Sequence, residues 1–289
     1  MGGSADSRPL HGDDLVVAAS LSDALQVLRR EPDTEVHAGG TSFLDRERLQ
    51  THVDRDVPIL AIHAVRELRR IIKREIDVEI GAAVPCSRLR ELGGRVLPEI
   101  VLSALDDIGP PPVRNLATIG GALCLPTLQL PIGAVLEIID ARVEIRRHGN
   151  SRTIPITQMR DESGSLRLGP GEIVTRIRIP RRRWNRYELH VFGRPYPEGD
   201  PSLTVALVAQ TDKAVLNELR CIFMSDGHTV IRPVEAETDL MGRNLPLTER
   251  DRRGIIAAVE RDPRFGEELD DLGRWRASNS LRLFLQSLA

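Results

Sequence analysis

Aromatic side chains are nearly missing from this chain: Phe, Trp and Tyr make up 3% of its 289 residues. A core must therefore be built from Leu, Ile, Val and Ala, which the 41% hydrophobic content supplies. Cysteine is equally scarce. Cys86, Cys124 and Cys221 stand far apart, with no Cys-x-x-Cys pair. That excludes a recognisable iron–sulfur or structural zinc site on this chain. An odd, sparse set fits a reduced cytoplasm better than a disulfide framework, and the three read as small buried hydrophobes. No sign of charge dominates: 40 Lys and Arg against 42 Asp and Glu leave −2. This balance argues against general binding to nucleic acid or an anionic membrane. No apolar run reaches the ~18 residues of a membrane-spanning helix. Met1–Ser7 is polar and has no apolar signal region. Carboxylate pairs, Ser-His-Asp sets, metal-ligand spacings and internal repeats are also absent, which removes the usual hydrolytic and metal-dependent chemistries.

What stands out instead is two glycine pairs. The first is His37-Ala38-Gly39-Gly40-Thr41-Ser42; the second is Arg114-Asn115-Leu116-Ala117-Thr118-Ile119-Gly120-Gly121. Glycine lets backbone approach a ligand closely. Successive free amides make a concave anion site, to which a Thr or Ser hydroxyl adds a donor. Two such loops could grip a pyrophosphate from two sides; two ordinary tight turns explain either pair alone.

Hydrophobic periodicity places elements around these loops. Leu15–Ala19 reads as a strand, and Ser20 or Ser22 caps a helix carrying Ala24, Leu25, Val27 and Leu28 on one face. Thr34–Ala38 is a second strand leading into the first glycine turn, giving a β-α-β unit. Further strands are expected at Pro58–Ile62, Arg69–Lys73, Val78–Ala82 and Ala141–Arg147. Helices are expected at Ser87–Leu92, with Ser87 as cap, at Ile100–Ile108 and at Pro131–Ile139. Gly109-Pro110-Pro111-Pro112 reads as an extended stop. Glu172–Pro180 alternates as a half-buried strand. Arg181-Arg182-Arg183-Trp184 then forms a basic hinge, either docking a partner or forming a solvated turn. Beyond it, strands at Tyr187–Phe192, Leu203–Gln210 and Leu216–Met224 precede helices at Pro233–Met241, Thr248–Arg261 and Ser278–Leu288. Strands followed by helices predict an α+β region with helices on one sheet face.

These motifs, in this order, resemble the FAD-binding subunit of the molybdenum hydroxylases, the xanthine dehydrogenase and carbon monoxide dehydrogenase group. The matching residues are Ala38-Gly39-Gly40-Thr41, Arg114–Gly121, Gly171–Val174 through Ile179-Pro180, Arg220-Cys221-Ile222, Arg232-Pro233 through Gly242, and the last helix. The likeness covers roughly residues 15–288. It implies an α+β fold: a two-part FAD-binding domain of the vanillyl-alcohol-oxidase/CO-dehydrogenase flavoprotein type, then a small C-terminal domain with a three-stranded antiparallel sheet and helices. The expected boundaries are 1–14 for a disordered tail, 15–65 and 66–180 for the two FAD-binding subdomains, and 187–289 for the C-terminal domain. Implied FAD contacts are Ala38, Gly39, Gly40, Thr41, Ser42, Phe43, Arg114, Thr118, Ile119, Gly120, Gly121, Ala122, Gln129, Val174 and Arg194.

The resemblance further implies a cytoplasmic oxidoreductase subunit that turns over no substrate alone. A molybdopterin-binding large chain and a [2Fe–2S] small chain are its partners. Electrons leave through FAD to NAD or another acceptor. Four positions depart from the pattern. Ser42 stands where the family has Asp or Asn, and its hydroxyl can still donate to a phosphate. Ala122 stands where the family has Asn, the segment before Pro131 is short, with Gln129 nearest the family's Asp, and the first C-terminal strand lacks the family's lysine, Arg194 being the nearest cation. A structural subunit with a degraded flavin site is therefore the alternative reading.

Overall fold

The computed structural model describes residues 15–42, 57–125, 130–161, 163–193, 203–225 and 229–288. The expected tail 1–14 and three candidate contacts, Phe43, Gln129 and Arg194, lie outside them. The first part is a parallel three-stranded sheet of β1 (Leu15–Val17), β2 (Glu35–His37) and β3 (Ile59–Ala61), with α1 (Leu21–Arg30) between β1 and β2. Ser20 is the cap, its Oγ accepting from the Asp23 amide at 3.1 Å. The order is β1-β3-β2, so the two strands flanking α1 do not pair with each other; β3 lies between them.

The second part is an antiparallel sheet in the order β4 (Ile71–Lys73), β5 (Asp77–Gly81), β8 (Ile173–Pro180), β6 (Arg142–Arg147) and β7 (Asn150–Pro155). Val78, Ile80, Val143, Ile145, Ile177 and Ile179 line its inner face. Helices α2 (Cys86–Arg90), α3 (Glu99–Asp106), α4 (Pro111–Leu116), α5 (Ile119–Leu123) and α6 (Pro131–Ile138) accompany it. Two expectations are corrected here. The proline run opens α4 rather than an extended stop, because proline at a first helical position loses no needed N–H. Ser87 sits inside α2, whose cap is Pro85 with no side-chain bond. Strand β7 was not foreseen, since Asn150-Ser151-Arg152 shows no apolar alternation; pairing with β6 around Gly149, at φ +78, creates it.

The third part holds β9 (Arg186–Phe192), β10 (Leu203–Asp212), β11 (Val215–Ser225), β12 (Thr229–Ile231) and β13 (Arg243–Asn244). The order is β12-β11-β10-β9, with β13 pairing β11, so the sheet has five strands where the resemblance implies three. Helices α7 (Val234–Asp239), α8 (Glu249–Glu260), α9 (Pro263–Glu267) and α10 (Asp271–Ser287) complete it. Helix α10 begins at Asp271, not near Ser278, because Asp270 accepts from the Gly273 amide at 2.6 Å and caps it.

Both faces of this third sheet are buried, and the residue alternation divides them. Val205, Leu207, Ala209, Leu219, Cys221 and Phe223 pack on the C-terminal helices. Their neighbours Ala206, Val208, Ile222 and Met224 join the core of the second part. At that seam the ring of Trp184 lies 4.9 Å from the Arg182 guanidinium and 5.1 Å from that of Arg220. Arg220 donates to the Ile138 carbonyl at 2.7 Å and pairs with Asp140 and Glu218, each at 2.6 Å. Arg181 donates to the Arg74 carbonyl at 3.0 Å. Arg181 and Arg182 are thus engaged within the chain. Among the described residues no helix is long and apolar enough to cross a membrane.

Candidate functional site

The first glycine loop leaves the carboxyl end of β2, the end at which parallel sheets present ligands. Its start is tied down by the Ile62 amide, which donates to the His37 carbonyl at 2.8 Å. His37 Nε2 lies 3.2 Å from the Glu35 carboxylate, a neighbour contact that assigns it no catalytic part. A Cβ on Gly39 would land on the Leu116 carbonyl, so the two glycine motifs touch backbone to backbone. Gly40 has φ +68, the left-handed region, and nothing lies within 4 Å of where its Cβ would be. Among the described residues, no acceptor takes the amides of Gly39, Gly40 and Thr41.

The second motif is anchored differently. Cys86 donates to the Ala117 carbonyl at 2.9 Å, Ile119 to Val84 at 3.2 Å and Gly120 to Ala82 at 2.9 Å. Thr118 caps α5: its Oγ1 accepts from Gly121 at 3.1 Å, and its carbonyl accepts from Ala122 at 2.9 Å. The amides of Ile119 through Ala122 are therefore all taken inside the chain. That corrects the expectation that both loops offer free amides. Gly120 is needed for packing, since a Cβ there would sit 2.6 Å from that of Ala82. From Asn115 to Ala122, only Asn115, Leu116 and Gly121 are exposed.

The remaining candidates scatter. Arg114 turns away from the loops, donating to the Asp106 carbonyl at 3.1 Å and to the Gly109 carbonyl. Ala122 is buried, and Val174 is buried in the core opposite Ile145. Its neighbour Thr175 takes the Ala82 amide at 3.0 Å, so β8 backs the second loop. Sequence reasoning missed two residues. Leu116 is 55% exposed at the seam between the loops. Arg160 donates to the Leu123 carbonyl at 3.2 Å and to that of Leu125 at 2.7 Å, bracing the chain beyond α5. Burial pushes the Cys86 thiol up to about 12, so it is an inert hydrophobe. Among the described residues no cluster of His, Cys, Asp and Glu could hold a metal ion.

Comparison with known proteins supplies the context for this cradle. Residues 11–182 match the family described as the FAD binding domain in molybdopterin dehydrogenase. A xanthine dehydrogenase FAD-binding subunit from Escherichia coli is 30% identical over 275 residues, 93% of this chain and 90% of that protein. The 6-hydroxypseudooxynicotine dehydrogenase complex subunit alpha of Paenarthrobacter nicotinovorans is 27% identical over 242 residues, 80% of this chain and 79% of its own length. In fold, the chain is similar to the quinoline 2-oxidoreductase structure from Pseudomonas putida 86. The TM-score is 0.76 at 20% identity, covering 97% of this chain and 96% of that one.

Proposed function

Since this chain belongs to the FAD-binding domains of the molybdopterin dehydrogenases, we propose that it is the electron-transfer flavoprotein subunit of such an assembly, taking electrons from [2Fe–2S] clusters on a partner chain and passing them to NAD or another acceptor. FAD, when bound, supplies the redox chemistry. The observation that carries the reading is the contact between the two loops: Gly39 against Leu116, with Gly40 open above. The residues present suit a pyrophosphate. The amides of Gly39, Gly40 and Thr41 and the hydroxyls of Thr41 and Ser42 are its donors. Leu116 and Gly121 form the opposite wall, held rigid by Thr118 and Arg160. Donors come from one loop and shape from the other.

The substrate site would belong to the molybdopterin chain. The domain limits 15–65, 66–180 and 187–289 are kept as part of this proposal. The test is the visible spectrum of the purified chain, before and after addition of FAD. A flavin spectrum at about one FAD per chain is expected. A colourless protein that takes up no added FAD would overturn the reading in favour of a structural subunit, for which Ala122, the short segment before Pro131 and the missing lysine are the motives.

A further inference from the structure

The sheet of β4 to β8 has an outer face, turned away from its core, and strand register defines it. One row runs Ile72, Glu79, Arg178, Arg142 and Pro155 across β4, β5, β8, β6 and β7. The next holds Arg176, Glu144 and Thr153. Helix α1 covers one corner, where Leu28 and Ile173 share an apolar cluster. Ile72 and Arg142 are exposed.

Glu79 and Glu144 lie buried beneath guanidiniums on this face. Glu79 pairs with Arg74 at 3.1 Å, Arg176 at 3.3 Å and Arg178 at 3.2 Å. Glu144 pairs with Arg146 at 2.7 Å, Arg176 at 3.5 Å and Arg178 at 3.7 Å. With Arg142 and Asp77 included, five guanidiniums face three carboxylates, on a chain whose formal charge is −2. Each guanidinium has five donors, and two buried carboxylates can take few of them. Arg142 and Arg178 are direct cross-strand partners. Like charges so placed are destabilising; Arg178 is offset by its pairs with Glu79 and Glu144, whereas among the described residues Arg142 pairs with no carboxylate and only donates to the Thr153 carbonyl at 3.4 Å. At the edge, Ile72 is 38% exposed and Ile76, in the turn to β5, 77%. Arginine beside exposed apolar side chains is the composition of a protein interface.

We propose that this face docks an acidic surface of a partner protein chain in the assembly, an inference that rests on the function proposed above. A second copy of this chain is a poor occupant, because it would set the same positive surplus against itself. The experiment purifies the complex through a tag on this chain, comparing wild type, Arg142→Glu and a control, Arg250→Glu, on the exposed start of α8. Arginine accessibility is mapped by phenylglyoxal labelling and mass spectrometry, in the complex and after release by salt. Arg142 should be protected in the complex alone. Arg142→Glu should weaken retention of the partner about tenfold while keeping its FAD and holding or raising Tm, since it places opposite charges across from Arg178. The control should change nothing. Equal labelling of Arg142 in both states, or full assembly of Arg142→Glu, overturns the docking face and leaves the flavoprotein reading intact. Protection only by phosphatidylserine vesicles or duplex DNA also overturns it. If no chain accompanies wild type, the heteromeric assembly fails together with this inference.

Discussion

Gly39 and Gly40 are adjacent, yet they are glycine for different reasons. At Gly39 there is no room, because the Leu116 carbonyl occupies the place of a Cβ. At Gly40 there is room but a left-handed backbone. Gly39→Ala should therefore force the loops apart and abolish FAD retention, with a clear loss of Tm. Gly40→Ala should cost only about 1 kcal/mol of stability, and Gly40→Asn less. Flavin absorbance per chain and thermal melts separate the two. Thr118 offers a third residue-scale comparison. Thr118→Ala should cost about 1 kcal/mol by removing the cap of α5, and Thr118→Ser should restore it. These differences follow from contacts that the Gly-Gly spelling conceals.

Among the elements, α6 carries a carboxyl, Glu137, whose burial sets a pH dependence. Burial raises the Glu137 carboxyl from 4.5 to about 7, opposed by Arg232. The folded state thus holds a proton that the unfolded chain releases above 4.5. Between pH 4.5 and about 7 the unfolded state binds fewer protons, so stability falls as pH rises. Glu137→Gln should remove this slope, giving equal stability near pH 4 and a gain of about 3 kcal/mol at pH 8. Urea melts at both values check it. At the same end of α6, Arg220 holds the Ile138 carbonyl and Asp140. Arg220→Ala should cost about 1–2 kcal/mol, because the Ile138 carbonyl loses its guanidinium donor while Glu218 keeps its ion pair with Arg182. Asp140 is largely exposed and adds little to that loss. A parallel variant, Asp140→Asn, should cost much less in the same melts.

At the scale of the whole molecule, the third sheet is shared. Ala206, Val208, Ile222 and Met224 complete a core begun by β5, β6 and β8. Removing residues 1–185 would expose that face, so the remainder should aggregate or bind hydrophobic dyes rather than fold alone. The intact chain should melt in one calorimetric transition, with matching calorimetric and van't Hoff enthalpies. Two separated transitions would contradict the shared core.

Local chemistry by itself determined a good deal. Ser20, Pro131 and Thr248 marked helix starts because capping and proline geometry act within a turn. The alternation of Ile173–Pro180 marked a strand because period two is written in adjacent residues. The glycine pairs were legible as tight turns because the missing Cβ is a local property. Tertiary structure alone decided what depends on distant partners. It spent the amides of Ile119 to Ala122 on Val84, Ala82 and Thr118. It turned Arg114 toward Gly109 and set Leu116 against Gly39. It also made a strand of Asn150–Pro155 and buried the second face of the C-terminal sheet. In each case the deciding atom lies far along the chain, where no local pattern records it.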